Sequence, residues 1–582
     1  MMLCQFRFTM LASLATIAAF ILGFIGACSS ERYKAQADEE VYRIIDSKWQ
    51  ERFGSKTNYI IGDCNTVSSP TDIHLEMAVP ASGIINLTQA VAIATAHNRD
   101  YQRQKEELYL PALDVTLARH QFARQWFSTI DAGYIKNNDD ESISSDAGLG
   151  FNQLLADGAQ VSTSIAIDWV RFLTGDPRTS LGSVLSASVT QPLLRGRGRR
   201  IVQESLTQAE RDVLYQIRSF NRYRKMFVVS IVAAYYRVLQ RRDAVTNAEN
   251  NYNSRVESRK RLEMEAEAGR KNPFEVDQAK QSELRARDSY VQAMEIYEQQ
   301  LDEFKNLLSL PINSDIELDQ NELKALENIG VSEPPYLLDD VVETALAQRL
   351  DLVNSKDAID DAMRKVAIAT DGLGTELNLT GSAYVPSTEK TKFDRLRFHQ
   401  GDYELFLEAD LPLDRKAERN AYRKTLITLE QQKRKYQNDA DGVELEVRQA
   451  YRQLSTAAER YETQRNSLAL ANTRVESTTF LLQAGRVTTR DLLESQDALL
   501  AAQNDLTAAL VDHAIAKLSF FRDIGVLQVK PDGMWEQKNL KNQFDNHNVS
   551  ATSRVTRDQL SPLRQYDSYD FKESKIVLSY HK

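Results

Sequence analysis

Cysteine is scarce: the 582 residues hold three, and two of them, Cys4 and Cys28, lie in the first thirty positions. Only Cys64 is left in the body, so no intrachain disulfide is available to the mature protein. Proline and glycine are sparse in long tracts, and Arg199 to Ala268 contains neither. A basic excess is also missing. With 72 Lys and Arg against 82 Asp and Glu, the net charge is -10, and no basic patch alternates with aromatics, so nucleic acid is excluded as a partner. Seven histidines are dispersed (74, 97, 120, 399, 513, 547, 581), with no pair at metal-ligand spacing and no cysteine pair to join them. A GxxxxGK[ST] loop is absent, and Gly196-Arg197-Gly198 fits a strand-to-helix turn. No cofactor, no metal and no enzymatic activity are therefore expected. Beyond the N-terminus no apolar run approaches the roughly 20 residues of a membrane helix. The best candidate, Phe227 to Tyr236, is too short and is expected to be a packed helix face.

Arg7 precedes an apolar run from Met10 to Phe24, followed by Ile25-Gly26-Ala27-Cys28-Ser29. A basic start, a short apolar core and small residues before a cut make a secretory signal. Cysteine straight after the small pair resembles a bacterial lipobox, in which Cys28 is lipidated and becomes the mature first residue. The alternative is an ordinary signal with a chance cysteine. Ser29 after the cysteine resembles outer-membrane sorting. Residues 38–53 predict an amphipathic helix (Val41, Ile44, Ile45, Trp49), with Asp38 as its N-cap.

What is present is a duplicated pattern. Ala268-Gly269-Arg270-Lys271-Asn272-Pro273 and Ala484-Gly485-Arg486-Val487-Thr488-Thr489 are each followed, six residues after the glycine, by an acid, Glu275 or Asp491. Glycine permits the left-handed angles that close a helix. Asn272 with Pro273, or Thr488 with Thr489, suits the N-cap and first turn of the next. Upstream, Leu87, Ala94, Ala96 and Asp100 align with Leu338, Ala345, Ala347 and Asp351, each opening a helix, a short break and a second helix. Long helices with apolar residues at spacings of three, four and seven precede each turn, from Leu206 to Val245 and from Val443 to Leu482. Such a heptad implies coiled-coil packing. Return helices run to Leu310, before Pro311, and to Ile524, before Gly525.

Between the short and long helices of each half the period changes to two. One row runs Trp126, Ser128, Ile130, Ala132, Tyr134. Others are Val161, Thr163, Ile165, Ile167, Trp169, then Leu185, Ala187, Val189. The second half has Leu377, Leu379, Gly381, Ala383, Val385 and Tyr403, Leu405, Leu407, Ala409. The strand regions close on Pro192 and Pro412. An apolar row opposite a polar row that includes Asp168, Glu408 and Asp410 suits a membrane barrel with a wet lumen; a half-buried soluble sheet alternates equally well. Four strands, about the number expected per chain, cannot close a barrel, since about eight is the smallest useful number. Open edges in a bilayer leave backbone groups unpaired at several kcal/mol each. Strands in a membrane would then require several copies to share one barrel.

In this order, duplicated and behind a lipobox, the LxxAVxxA-type openings ending in Asp100 and Asp351, the proline-closed strand exits and the paired Ala-Gly-Arg turns resemble the TolC-type outer-membrane efflux proteins, over about Ile85 to Leu527. The resemblance implies a mainly helical protein with membrane β-structure. Its coiled-coil hairpins would form a periplasmic α-barrel, and about four strands per chain would contribute to a shared, trimeric, 12-stranded β-barrel. It also implies passive export, driven by an inner-membrane transporter through a periplasmic adaptor protein. Asp491 and Glu494 match carboxylates lining the narrow periplasmic entrance, and Glu275 matches a latch acid. Arg486 and Arg270 are the expected cationic partners, although the family's basic latch position falls on Val487, a departure from its pattern. The two turns, with Gly269, Arg270, Asn272 and Pro273 in one and Gly485, Val487 and Thr488 in the other, match tips that meet the adaptor. A bland reading remains for the acids, which favour any helix N-terminus. The sequence departs from the family in carrying Arg99 and Leu350 before the two aspartates, and in a first strand region some thirty residues longer than the second, with room for an extra hairpin or a long external loop.

The resulting organisation is a lipoprotein signal over residues 1–27 and a lead segment over 28–84. Repeat one spans 85–315, a linker 316–335 and repeat two 336–527; a polar tail, expected to be disordered, covers 528–582. A coiled-coil lipoprotein scaffold tethering envelope layers is the alternative function, and it would need no strands.

Overall fold

The computed structural model describes residues 30–50, 53, 56, 59–61, 83–136, 141–172, 179–388, 392–411, 413–530 and 535–537. The chain divides into two units, Met1–Trp535 and Glu536–Lys582; the second lies almost wholly outside the described residues, with most of the polar tail. Cys28, the signal segment, Cys64 and Pro412 also lie outside them.

Helix α1 (Ser30–Lys48) starts earlier than expected. Asp38 lies inside it, where it accepts a hydrogen bond from the Tyr109 hydroxyl at 2.7 Å. The reason is local: residues 31–37 contain no glycine or proline and include good helix formers, so nothing stops the helix extending upstream. Its apolar face is as expected, with Val41, Ile44 and Ile45 buried.

Strand β1 (Ile84–Ile85) leads into α2 (Leu87–His97) and α3 (Arg99–His120). In the second half α8 (Leu338–Gln348) and α9 (Leu350–Asp371) have the same lengths, 11 and 22 residues. Between them run β2 (Gln125–Lys136), β3 (Glu141–Leu154), β4 (Gln160–Phe172), β5 (Thr179–Pro192), α4 (Arg199–Val202), α5 (Glu204–Glu267), α6 (Pro273–Leu307), β6 (Glu317–Leu318) and α7 (Asn321–Ile329). After α9 come β7 (Glu376–Thr388), β8 (Lys392–Leu396), β9 (Asp402–Asp410), α10 (Lys416–Gln483), α11 (Thr489–Ile524) and β10 (Leu527–Val529). At ~1.5 Å per residue the 64 residues of α5 and 68 of α10 span about 96 and 102 Å.

The long helices pack side by side, with α1 against both α3 and α5. Towards the strands α3 packs on α5, α5 on α9 and α9 on α10; towards the turns α6 packs on α5, α5 on α11 and α11 on α10. Phe227 to Tyr236 is the packed face expected, with Val228, Ile231, Val232 and Tyr235 buried. No described helix is long and apolar enough to cross a membrane. The expected linker over 316–335 is not plain coil. Its β6 pairs in parallel with β1, and α7 packs Leu323 and Leu326 against Tyr461, Ala509 and Leu510.

The expectation of about four strands is corrected. Six long strands join in the order β2-β3-β4-β5-β7-β9, with the short β8 also on β7. The thirty extra residues of the first region supply a further antiparallel hairpin, which requires only a tight turn and a matching alternation. Every expected apolar row falls on one face. The register Trp126↔Phe151↔Thr163↔Ala187↔Ala383↔Tyr403 crosses the whole sheet. With it lie Ile130, Leu149, Ile165, Leu185 and Leu405, because directly opposed residues share a face. The other face carries Thr129, Asp131, Asp146, Ser164, Asp168, Ser186, Ser382, Glu404 and Glu408, interrupted by Phe127, Ile135 and Phe406.

Candidate functional site at the hairpin tips

Both turns close in the same way. Gly269 has φ +68° and Gly485 φ +69°. The Gly269 N–H donates to the Ala266 carbonyl at 2.9 Å and the Arg270 N–H to Glu265 at 2.8 Å; at the second tip Gly485 bonds Leu482 at 3.0 Å and Arg486 bonds Leu481 at 2.9 Å. These are paired Schellman closures, in which a left-handed residue lets two amides satisfy the last carbonyls of the helix. The restarts differ. Asn272 caps α6 by accepting from the Phe274 N–H at 3.3 Å, with Pro273 at the first helical position. Thr488 and Asp491 form a capping box on α11: the Thr488 N–H donates to Asp491 Oδ2 at 2.8 Å, and the Asp491 N–H donates to Thr488 Oγ1 at 3.4 Å.

The capping role of Asp491 separates it from Glu494. Hydrogen bonds from Thr488 hold the exposed Asp491 carboxyl below its usual range, as expected when the charged form is the one being bonded. Glu494 makes no cap and instead pairs with Arg474 of α10 at 3.0 Å, with both side chains more than half exposed; such a pair contributes under about 1 kcal/mol. The two acids sit on the exposed side of the helix start, while Leu492, Leu493 and Ser495 are buried.

Glu275 is the residue that joins the two tips. Its carboxylate accepts from Thr489 Oγ1 of the other hairpin at 2.6 Å and pairs with Lys271 Nζ at 3.0 Å. The Thr489 bond first, then the Lys271 interactions, keep its carboxyl below the usual glutamate range despite partial burial. The expected cations are not the partners: among the described residues neither Arg270 nor Arg486 forms an ion pair. Each follows the left-handed glycine and is solvent-exposed, whereas Lys271 lies four residues before Glu275, within reach across one turn. Val487 is partly covered and makes no polar side-chain contact.

Further from the tips, polar contacts cross the seam between α5 and α11. Ser254 receives a bond from Gln496 at 3.2 Å, Asn247 bonds Asn504 at 3.0 Å, Asp243 accepts from Thr507 at 2.7 Å, and Arg237 pairs with Asp512 at 2.6 Å. The deepest is Arg255, whose side chain is 1% exposed; it bonds Asp497 at 2.6 Å and the Leu493 carbonyl at 2.9 Å. Its Nε and Nη1 have no hydrogen-bond partner among the described residues. Within the first hairpin Leu262 packs on Val276 and Ala279, flanked by ion pairs of Arg259 with Glu283 and of Lys280 with Glu263. Thr489, Lys271, Arg255 and Asp497 escaped the sequence reading. Arg255 did leave a signal: it sits seven residues from both buried Ala248 and buried Leu262, so a charged residue occupies a core heptad position.

Nothing at the tips, or in any cluster of His, Cys, Asp and Glu among the described residues, could hold a metal ion. The site combines two closed turns, an acid bridging them and a seam in which polar contacts alternate with buried apolar residues such as Ala248, Leu493 and Ala502. The hairpins are joined to a sheet apolar on one side and polar on the other, a fold shared with solved outer-membrane channel structures. Residues 341–524 match the family model described as outer membrane efflux protein. No curated protein matches it in sequence. Solved structures share the fold: the outer membrane protein VceC from Vibrio cholerae (12% identity, TM-score 0.56, 75% of this chain and 96% of that one) and the Campylobacter jejuni CmeC outer membrane channel (15%, 0.55, 79% and 88%). The Neisseria gonorrhoeae MtrE outer membrane channel in its open state is similar to the same degree (14%, 0.55, 75% and 88%).

Proposed function

We propose that the chain is the outer-membrane channel of an efflux or secretion assembly, an export conduit that does no chemistry of its own. The observation that carries this reading is the two-faced sheet. Trp126, Ile130, Leu149, Leu405 and Leu407 are all more than half exposed on one face, and among the described residues no helix is packed over that face. A soluble sheet would bury such a row; a bilayer accepts it. Aromatics fall near both ends of the face, Trp126 and Phe151 towards the helices and Tyr134, Trp169 and Tyr403 away from them, as interfacial girdles do. A tethering scaffold would have no use for this sheet.

In this reading the chain assembles as a homotrimer, held in the outer membrane by its strands and by acylated Cys28, with the hairpins forming a tunnel in the periplasm. The matched helix lengths of the two halves support an internal duplication. The tips would meet a periplasmic adaptor that links to an inner-membrane transporter, and the exposed Phe274, at 72%, offers apolar contact there. Asp491 and Glu494 from three copies would ring the entrance and favour cations, while Glu275–Thr489 and the polar seam would hold the second hairpin against the first until it opens. Planar-bilayer recording on purified protein tests the proposal. Cation-preferring conductance is expected, raised by the Glu275→Ala, Thr489→Val double variant. Silence from both proteins, each shown to be folded and inserted, would return the reading to a scaffold.

A further inference from the structure

The six-stranded sheet has two free ends. Among the described residues the outer edges of β2 and β9 pair with nothing, although each belongs to a sheet whose apolar face asks for lipid. In hydrocarbon every unpaired backbone group costs several kcal/mol, so these edges need a partner with a matching edge, matching faces and opposite direction. A second copy of this chain has all three. The six strands alternate in direction, so β9 of one copy runs antiparallel to β2 of the next.

We propose that β9 of each copy pairs with β2 of its neighbour, so that every copy contributes six strands and three copies close an eighteen-stranded barrel. This inference rests on the channel reading above. The register within one sheet supports the closure. The row that leaves β2 at Trp126, one residue from the helix-side end, reaches β9 at Tyr403, seven residues from its helix-side end at Asp410. The drift is thus about six residues over five strand spacings. At about 3.3 Å per residue and 4.8 Å per spacing the strands tilt by about 40°, inside the roughly 35–45° of closed membrane barrels. Eighteen strands at that tilt enclose a backbone circle about 36 Å across, against about 24 Å for twelve.

Extending the drift across the seam brings Tyr403 opposite the neighbour's β2 near Gly133. Leu405 then lies beside Ile130 or Ala132 of that neighbour, all on the apolar face. In a Cys64→Ser background, Leu405→Cys combined with Ile130→Cys or with Ala132→Cys should give covalent dimers and trimers on oxidation in membranes. Leu405→Cys with Ile165→Cys, which would be adjacent if the first hairpin stayed outside the barrel, should give none. A conducting trimer that crosslinks through Ile165→Cys, or through none of the pairs, overturns the six-strand closure and leaves the channel standing. Protein that neither assembles nor conducts removes the channel reading, and this inference with it.

Discussion

Arg255 offers the sharpest test of how the seam is held, because its two possible perturbations should not cost the same. Its guanidinium is buried while its carboxylate partner, Asp497, is 69% exposed. Removing one member of a fully buried pair costs about 3–5 kcal/mol, chiefly because the remaining charge is stranded. Here one partner is screened by water, so Asp497→Ala should cost about 1–2 kcal/mol of local stability. Arg255→Met instead removes the buried charge and keeps much of the packed stem. The Leu493 carbonyl retains its place in the helix ladder, so the change should stay within about 1 kcal/mol of the parent. Hydrogen exchange of peptides covering residues 489–497 reads the difference. The opening equilibrium should rise roughly 5–30-fold for Asp497→Ala and only slightly for Arg255→Met. Equal or faster exchange in Arg255→Met would refute the argument that the stranded charge dominates.

Glu275 has its carboxyl held low, so its bridge is fully present above the unfolded value near 4.5 and is lost as pH falls through the lower folded value; tip exchange should accelerate below that range, and Glu275→Gln should abolish the dependence. Ser309 closes α6 with φ +58°, a left-handed angle that costs a side-chain-bearing residue about 1–2 kcal/mol, so Ser309→Gly should raise the denaturation midpoint. On the polar face Asp131, Asp146 and Asp168 are direct cross-strand neighbours. Replacing all three by asparagine should shift the reversal potential in a salt gradient towards weaker cation preference, with conductance retained.

Much of this protein was determined by local sequence. The Ala-Gly-Arg turns, the two 11-residue and 22-residue helix pairs and the period-two rows each depend on neighbours within a few residues: a glycine free to adopt positive φ, an N-cap side chain, an alternation imposed by the pleat. Each apolar row lies on one side of its own strand for that reason, while their sharing one face of the sheet was set by register between strands. What the sequence could not decide was anything requiring two distant segments to meet. The surplus length of the first strand region fitted a further hairpin or a long external loop, and only the register of β3 with β4 across their full span decides for the hairpin. The partner of Glu275 is 214 residues away at Thr489, and no spacing rule links them. Arg270 and Arg486 carried the right charge, yet the turn geometry left them in solvent while Lys271 took the pairing. Arg255 was visible as a charge at a core heptad position, but its value lies in α11 packing against α5, a contact set by tertiary structure alone.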